Sequence, residues 1–327
     1  MASLIIINDV RHLYLPNLLT TGSDIIADSV TFYSPNLQTV AGDLCIDSAT
    51  SINVPNLRTV EGDLNAESAT EFDSPNLETV LRDMRTMFAT SLNVPNLRTV
   101  GGDLIVCSAT AFYAPMLQTV EGELDADDAT SFNAPMLQTV DILGAALATS
   151  FNAPVLRTVN VLFAESATSF NAPMLQTVEG AFYVPSAMSF NVPNLKMVKE
   201  HLNADSTTRF CAPNLKTVKS YLNAKSATTF CAPNLQTVNG DLNAESATSF
   251  FAPKLKTVSG SLNANSAKTI NAPKLQTVNG DLNAESATTF HAPKLVTLDG
   301  ILNLRNTTMR KLMVKSLFAR RKFAETI

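Results

Sequence analysis

The 327-residue sequence contains no tryptophan, only 12 glycines and only 16% charged residues. Because 45% of the residues are apolar, the chain can form a large core, and the composition argues against disorder. No stretch approaches the roughly 18 apolar residues of a membrane span. The N-terminal apolar run is too short for a signal-peptide core and has no basic leader. The sequence therefore predicts a cytoplasmic protein, or one exported by a route without a signal peptide.

Cysteine is scarce, and its spacing fits no metal-binding or redox motif. The four residues are Cys45, Cys107, Cys211 and Cys231. Cys211 and Cys231 occupy the same position in neighbouring repeats, so stacking would place their Cα atoms about 4.8 Å apart, within the range of a disulfide. The alternative, two reduced thiols in a duplicated repeat, is favoured by the lack of a secretory signal.

Catalytic constellations are also lacking. None of the three histidines (His12, His201 and His291) has a serine or cysteine nearby at a spacing typical of a triad, and no glycine-rich phosphate loop occurs. Carboxylates recur in pairs such as Asp63 and Glu67, a pattern that could serve acid–base chemistry or calcium binding. Other residue types replace them further along the chain, which argues against a repeated ion site. The sequence predicts a protein that is not an enzyme, with no cofactor or metal.

What the chain does have is one phrase copied many times, and the prolines mark its period. Fifteen of the 16 prolines are spaced by 20 residues, with three intervals of 19: Pro16, Pro35, Pro55, Pro75, Pro95, Pro115, Pro135, Pro154, Pro173, Pro193, Pro213, Pro233, Pro253, Pro273 and Pro293. Two of the short intervals lose a residue between Thr-Val and the next Leu, where most copies carry glycine. That site is predicted to be a corner, because packed strands do not tolerate such losses.

Within one copy, apolar residues follow neither a helical period nor a sustained alternation. In the copy that begins at Pro233 they are Leu235, Val238, Leu242, Ala244, Ala247, Phe250 and Ala252. Short extended pieces broken by corners fit this pattern, and a proline in every copy argues against a helix. Such a period predicts a solenoid, in which stacked coils share one continuous core.

The stretches "PNLRTVEGDLNA" (55–66) and "PNLQTVNGDLNA" (233–244) share the skeleton L-x-x-V-x-x-x-L-x-[AIV]. This skeleton resembles leucine-rich repeats, most closely the coil of receptor L domains, and the short A-P-x-L-x-T-V-x-G-x-L repeats of uncharacterised bacterial and phage proteins. The resemblance covers about residues 5 to 304 and implies a right-handed coil of short parallel strands, with no particular partner. Ala247 and its equivalents occupy the usual asparagine-ladder site, and 20 residues leave no room for a helix. We therefore expect an all-β, right-handed parallel β-solenoid of about fifteen coils.

The two ends of the stack need closure, because an open coil edge would pair with another chain. Residues 1–15 are predicted to form a half coil, since Ile5, Ile7, Val10 and Leu13 fall at core phases. Residues 16–304 are the predicted solenoid domain. Residues 305–327 contain no proline or glycine and predict a basic amphipathic helix. We expect this helix to cap the last coil; the alternative is a helix that binds a partner or a membrane.

Two polar columns follow from the repeat. The hydroxyls of "S-A-T", such as Ser246 and Thr248, would form an array of the kind that some ice-binding proteins use. The alternative is purely structural, because threonine suits strands and serine suits corners; interruptions at Leu147, Met188 and Lys268 favour it. The second column is predicted to be a self-satisfying amide ladder: Asn203, Asn223, Asn243, Asn263 and Asn283.

Charge is the property that varies along the chain. The formal net charge is −15 over residues 1–193, +4 over 194–300 and +6 from residue 301 onward. Lysines also gather at matching phases: Lys196, Lys216 and Lys256 share one, and Lys254, Lys274 and Lys294 another. The candidate partner-binding residues are Lys254, Lys274, Lys294, Arg310, Lys311, Arg320, Arg321 and Lys322. Such a stripe could meet an acidic protein, an anionic membrane or a nucleic acid; the last two are less favoured.

The leading hypothesis is a non-enzymatic binding or scaffold protein that docks a protein partner on one face of a rigid solenoid. The alternatives are a self-assembling structural rod, a hydroxyl-ladder surface that binds ice or carbohydrate, and an acidic mimic of DNA.

Overall fold

The computed structural model describes residues 5–305 and 311–313. Every regular element in these residues is a β-strand, and the strands pair in parallel. The chain divides into two compact units, residues 1–159 and residues 160–327. Each unit is built from stacked coils of about 20 residues, so the predicted all-β parallel solenoid is confirmed.

The strands up to residue 152 lie in the first unit. They are β1 (Ile5–Tyr14), β2 (Thr20–Thr21), β3 (Ile25–Tyr33), β4 (Thr39–Val40), β5 (Leu44–Cys45), β6 (Ser51–Asn53), β7 (Thr59–Val60), β8 (Leu64–Asn65), β9 (Glu71–Asp73), β10 (Thr79–Val80), β11 (Met84–Arg85), β12 (Ser91–Asn93), β13 (Thr99–Val100), β14 (Leu104–Ile105), β15 (Phe112–Tyr113), β16 (Thr119–Asp125), β17 (Ser131–Asn133), β18 (Thr139–Gly144) and β19 (Ser150–Asn152).

The strands from residue 158 onward follow the same pattern. They are β20 (Thr158–Phe163), β21 (Ser169–Asn171), β22 (Thr177–Val178), β23 (Phe182–Tyr183), β24 (Ser189–Asn191), β25 (Met197–Val198), β26 (Leu202–Asn203), β27 (Arg209–Cys211), β28 (Thr217–Val218), β29 (Leu222–Asn223), β30 (Thr229–Cys231), β31 (Thr237–Val238), β32 (Leu242–Asn243), β33 (Ser249–Phe251), β34 (Thr257–Val258), β35 (Leu262–Asn263), β36 (Thr269–Asn271), β37 (Thr277–Val278), β38 (Leu282–Asn283), β39 (Thr289–His291), β40 (Thr297–Leu298), β41 (Leu302–Asn303) and β42 (Lys311–Met313).

A typical coil has three short strands, which define three faces. In the coil that begins at Pro233, β31 lies on the Thr-Val face, β32 on the Leu-Asn face and β33 on the Ser-Phe face. A bend at 239–240 separates the first two faces, a turn at 245–246 follows the second, and a turn at 253–254 returns the chain to the next coil. Because the strands have only two or three residues, the inward side chains on all three faces meet in one narrow core.

The core is formed by the seven apolar positions that the sequence predicts. Val238, Leu242 and Ala244 are fully buried, and so are the equivalent residues in nearly every coil. The phenylalanines of the Ser-Phe face stack along the axis: the ring centroids of Phe210 and Phe230 are 5.1 Å apart, and those of Phe230 and Phe250 are 4.9 Å apart. Each ring therefore contacts its equivalents in neighbouring coils, and the core continues from coil to coil.

Neighbouring coils pair with identical residues opposite one another. Leu242 lies opposite Leu222 and Leu262, and Val258 lies opposite Val238 and Val278. Backbone hydrogen bonds such as that from Leu242 N–H to the Ser261 carbonyl, at 2.8 Å, join the coils. A repeated sequence is thus a direct requirement of the stacking, because any shift in register would move the inward set to the outside.

The predicted corner between the Thr-Val and Leu-Asn strands exists in most coils. It disappears where the residue at the corner is lost: β18 and β20 each run as one six-residue strand from Thr-Val into the Leu-Asn position. Glu123 lies opposite Ile142, and the register shift between Val120 and Glu123 absorbs the missing residue. Thus the corner can straighten while the inward residues on both sides keep their places.

The N-terminal prediction is confirmed and the C-terminal one is wrong where it can be checked. Ile5 pairs with Ile25 and Leu13 with Phe32, so residues 5–14 form the expected partial coil at core phases. Lys311–Met313 is a strand that pairs in parallel with Thr289–His291, not a turn of helix. The rest of the predicted helix, residues 306–310 and 314–327, lies outside the described residues.

Candidate partner-binding surface

The three lysines predicted from the repeat lie in one column on consecutive coils. Lys254, Lys274 and Lys294 each follow the coil proline, and each side chain is exposed. Residues at the same position of adjacent coils are separated by about one strand spacing, roughly 4.8 Å. The structure therefore brings these three predicted residues together in a row of positive charges.

In the preceding coils the same column holds asparagines with a structural task. The amide of Asn214 donates to the carbonyl of Pro193 at 3.0 Å, and that of Asn234 donates to the carbonyl of Pro213 at 2.7 Å. Lysine replaces this inter-coil amide in the last three coils. Lys254 Nζ instead donates to Asn234 Oδ1 at 2.6 Å, at the start of the lysine row.

A second lysine column runs beside the first. Lys254 and Lys256 flank the fully buried Leu255, so both side chains leave the same turn on the outer surface. Lys196 and Lys216 occupy the position of Lys256 in earlier coils and are exposed. Lys196 Nζ donates to Gln176 Oε1 at 2.8 Å. The two columns widen the row into a basic surface around the proline turn.

Carboxylates avoid this surface altogether in residues 160–305. We divide each coil into a Leu-Asn arc (239–245 in the Pro233 coil, the Leu-Asn face with its two corners) and a proline arc (246–258, the remainder). All nine carboxylates of this range lie in the Leu-Asn arc: Glu165, Glu179, Glu200, Asp205, Asp241, Glu245, Asp281, Glu285 and Asp299. The proline arc holds eight exposed cations: Lys196, Arg209, Lys216, Lys254, Lys256, Lys268, Lys274 and Lys294.

Ion pairing follows the same division. The salt bridges of this range join Lys199 to Glu179, Lys225 to Glu245 and Arg305 to Glu285, and all lie in the Leu-Asn arc. None of the eight cations of the proline arc forms a salt bridge with a described carboxylate. Two unit charges about 5 Å apart in water repel by about 1 kcal/mol, so the lysine row carries uncompensated repulsion that a bound anionic group would relieve.

The predicted residues of the C-terminal segment are not brought into this surface. Arg310, Arg320, Arg321 and Lys322 lie outside the described residues. Lys311 begins β42, where its backbone is opposite Thr289. Their part in a binding surface stays a prediction.

The recurrent carboxylates in the first unit have a structural role that sequence inspection missed. Asp43 Oδ1 accepts the backbone N–H of Asp63 at 2.8 Å, and Asp83 Oδ1 accepts that of Asp103 at 2.9 Å. The hydrogen bond from Asp103, opposed by burial and aided by Arg85, lowers the pKa of Asp83. Aspartate in this column therefore joins each coil to the next. Among the described residues, no cluster of three or more metal-ligating side chains occurs.

The hydroxyl column is also used internally. Thr248 Oγ1 donates to the carbonyl of Thr228 at 3.1 Å, and Thr228 Oγ1 donates to that of Thr208 at 2.9 Å. The amide column satisfies itself only in part: Asn223 Nδ2 donates to Asn203 Oδ1 at 3.2 Å, whereas Asn243 Oδ1 accepts the N–H of Glu245. These bonds support the structural interpretation of both columns.

One outward group escaped notice in the sequence. His201 and Tyr221 lie at the aspartate position of the Leu-Asn arc and stack with their centroids 5.0 Å apart and their planes 8° apart. Tyr183 meets His201 edge-on at 6.5 Å. The three residues are 18 to 20 positions apart in the chain, so only an alignment of whole coils could reveal them. Because His201 and Tyr221 face each other, only the ring edges point outward.

No protein-family model and no curated protein matches the chain. Among solved structures, a leucine-rich repeat protein from Bacteroides ovatus is similar over 90% of this chain and 82% of its own, with 10% identity and a TM-score of 0.33. A likeness this distant supports no conclusion about the present chain. In the part of the chain that the structure describes, no helix has the length and apolarity to cross a membrane.

Proposed function

We propose that this chain is a non-enzymatic binding or scaffold protein that docks an acidic protein on the proline arc of residues 194–296. The observation that carries the proposal is the segregation of charge: eight exposed cations and no carboxylate share one side of these coils. Intramolecular salt bridges neutralise the lysines of the opposite arc and none of these eight. Unpaired surface charge of one sign speeds and orients association with an oppositely charged partner.

Repetition suits this task because it fixes the charges in a periodic row. The backbone of each coil is hydrogen-bonded to its neighbours, as in the bond from Lys256 N–H to the Gln236 carbonyl at 2.8 Å. The lysine stems therefore start from rigid points about 4.8 Å apart. An acidic segment laid along the row could meet several ammonium groups at once, so modest single contacts would add up.

The test uses two charge-reversed variants with equal net charge. The docking variant is Lys254→Glu, Lys274→Glu and Lys294→Glu. The matched control is Lys199→Glu, Lys219→Glu and Lys225→Glu, on the Leu-Asn arc. Immobilised full-length protein, the two variants and a version ending at residue 304 are compared for proteins captured from a lysate of the source cells. Captured proteins are identified by mass spectrometry, and purified ones are titrated by calorimetry.

The expected result is a partner with an acidic segment whose affinity falls at least tenfold in the docking variant. Its affinity should stay within about threefold in the matched control, and it should weaken as salt is raised from 50 to 300 mM. Equal capture by both variants would overturn the proposal, and so would a measurable turnover without a partner. Capture that depends on residues 305–327 alone would move the binding site to the tail.

A second candidate function rests on the first unit, where the charge pattern is reversed. The Leu-Asn arc of residues 24–141 holds fourteen carboxylates: Asp24, Asp28, Asp43, Asp47, Glu61, Asp63, Glu67, Asp83, Asp103, Glu121, Glu123, Asp125, Asp127 and Asp141. Only Arg82 and Arg85 interrupt it. Such a surface could occupy the DNA site of a DNA-binding protein. Competition of the purified chain with duplex DNA for a captured DNA-binding protein tests this candidate, and a lack of displacement excludes it.

A further inference from the structure

Two thiols of the second unit are held opposite each other on the Ser-Phe face. Cys211 ends β27 and Cys231 ends β30, and the two residues are partners in the parallel ladder. The N–H of Ala212 donates to the carbonyl of Cys231 at 3.0 Å and fixes the backbone between them. Both cysteines are free and half-buried on the outward side of their strands. The thiols contact each other, and burial followed by this neighbour raises the pKa of Cys231.

The ladder spacing suits a bridging ion better than a disulfide. Side chains at in-register positions of parallel strands are related by one strand spacing, about 4.8 Å. A disulfide wants its Cβ atoms about 3.8 Å apart, so its formation would draw two well-packed strands together by about 1 Å. A thiolate–metal bond measures about 2.3 Å for zinc, and two such bonds in line span about 4.6 Å between sulfurs. The thiols can reach that separation without any movement of the backbone.

The surroundings supply compensating charge and access. Arg209 lies two residues before Cys211 in the same strand, so both side chains point outward, and it forms no salt bridge with a described carboxylate. Its positive charge acts on Cys231 against the pKa rise. Arg209 and Cys211 also line an open surface depression of about 430 Å³ together with Met188. A soft thioether and a cation therefore lie beside the thiol pair.

We infer that Cys211 and Cys231 form a binding site for one soft monovalent cation, of the Cu(I) or Ag(I) class, held between two thiolates. Thiolate and thioether sulfurs are the ligands that select such ions. On binding, both S–H bonds break, two S–metal bonds form and two protons pass to solvent. The two thiolates and the cation sum to a charge of −1, which Arg209 balances. No electron transfer is involved, and the site is independent of the lysine surface proposed above.

The probe is Cu(I) itself, titrated anaerobically into the full-length protein against bathocuproine disulfonate, with a phosphine reductant to keep all thiols reduced. The variants are Cys211→Ser and Cys231→Ser, and the matched controls are Cys45→Ser and Cys107→Ser, which remove thiols that have no cysteine partner in the ladder. Circular dichroism melts establish that each variant is folded. X-ray absorption at the copper edge counts the sulfur neighbours.

The expected result is one Cu(I) per chain with two sulfur neighbours at about 2.2–2.3 Å. Affinity should fall at least 100-fold in either Cys211→Ser or Cys231→Ser and stay within about threefold in the two controls. Arg209→Ala should weaken binding by a smaller factor. The inference is overturned by a folded wild-type chain that cannot withdraw Cu(I) from the competitor. Binding that persists in Cys211→Ser, or that depends on Cys107, overturns it equally.

Discussion

Asp43 Oδ1 occupies the space that a side chain on Gly62 would need: an ideal Cβ at Gly62 would lie 2.0 Å from this oxygen. The same oxygen accepts the backbone N–H of Asp63 at 2.8 Å. Glycine in one coil and aspartate in the coil before it are therefore one structural device. The Gly-Asp pair recurs because the aspartate of each coil reaches across the glycine of the next to cap the chain beyond it.

Gly62→Ala is expected to destabilise the protein by roughly 1–3 kcal/mol, because the methyl group displaces Asp43 and leaves a backbone N–H without its acceptor. Asp43→Ala should cost a similar amount. The double variant should cost clearly less than the sum of the two, since the clash and the lost bond are the same event. Urea denaturation followed by circular dichroism measures all three.

Gly22 provides the control for this cycle, because a Cβ there would meet no atom within 4 Å. Gly22→Ala should leave the urea midpoint nearly unchanged. If Gly62→Ala and Asp43→Ala add without coupling, the shared-space explanation is wrong.

The phenylalanine stack predicts a sharp difference between adjacent residues. Phe230 is fully buried, and Phe230→Ala should cost about 3–5 kcal/mol through the cavity that it leaves between coils. Phe251, one coil further on the outer side, is 39% exposed, and Phe251→Ala should change stability by no more than about 0.5 kcal/mol. Thermal melts compare the two; similar losses would contradict the burial pattern.

Two carboxylates should change stability with pH in opposite directions. Burial, and then the charges of Asp125 and Asp128, raise the pKa of Asp127 above its ordinary 3.8. The folded state thus binds more protons than the unfolded state just above pH 3.8, and the free energy of unfolding falls as pH rises through this window. Asp127→Asn keeps an acceptor for Ala146 N–H and should be more stable than wild type at pH 7, but equal to it below pH 3.8.

Asp83 supplies the opposite sign, because its folded-state pKa is lowered by the Asp103 N–H. Its contribution is present above pH 3.8 and is lost as pH falls through the folded-state value. Asp83→Asn should therefore be less stable than wild type at pH 7 and match it in strong acid. Urea midpoints at pH 2.5, 4, 5.5 and 7 distinguish the two variants, and parallel behaviour would refute both assignments.

Cys107 should be unreactive. Burial, followed by a 3.1 Å hydrogen bond to Asp125 Oδ2 and the charge of that carboxylate, raises its pKa to about 12. Only the thiolate is nucleophilic, so iodoacetamide at pH 8 should modify Cys107 at least 100-fold more slowly in the native chain than in urea. Asp125→Asn should speed the native reaction, as followed by mass spectrometry of the Cys107 peptide. A native rate equal to that in urea would rule out this environment.

Much of the fold could be predicted from the sequence because the coil obeys local rules. A proline every 19 or 20 residues sets the period, and the inward positions of a coil such as Leu235 to Ala252 are those that burial later selects. The half coil at the N-terminus follows from the same phases, as the pairing of Leu13 with Phe32 confirms. These features need only the knowledge that identical coils stack in register.

The features that could not be predicted depend on relations between coils. The spacing of apolar residues from 309 to 323 fits a helix, yet Lys311–Met313 pairs with Thr289–His291, because the open N–H and C=O groups of a terminal strand attract a further strand. The lysine columns were visible as phases, but the absence of carboxylates beside them emerges only when each coil is divided into arcs. The contact of His201 with Tyr221 likewise needs the stacked view.

The corner that straightens in β18 and β20 has a consequence for how this chain can evolve. Loss of one residue there leaves the inward set unchanged, and the contacts between coils join residues 18 to 21 positions apart. Whole coils can therefore be duplicated or deleted by unequal recombination with only local repair at the junction. Coil number is thus a heritable variable, and a longer gene could add lysines to a charged row without the need for a new fold.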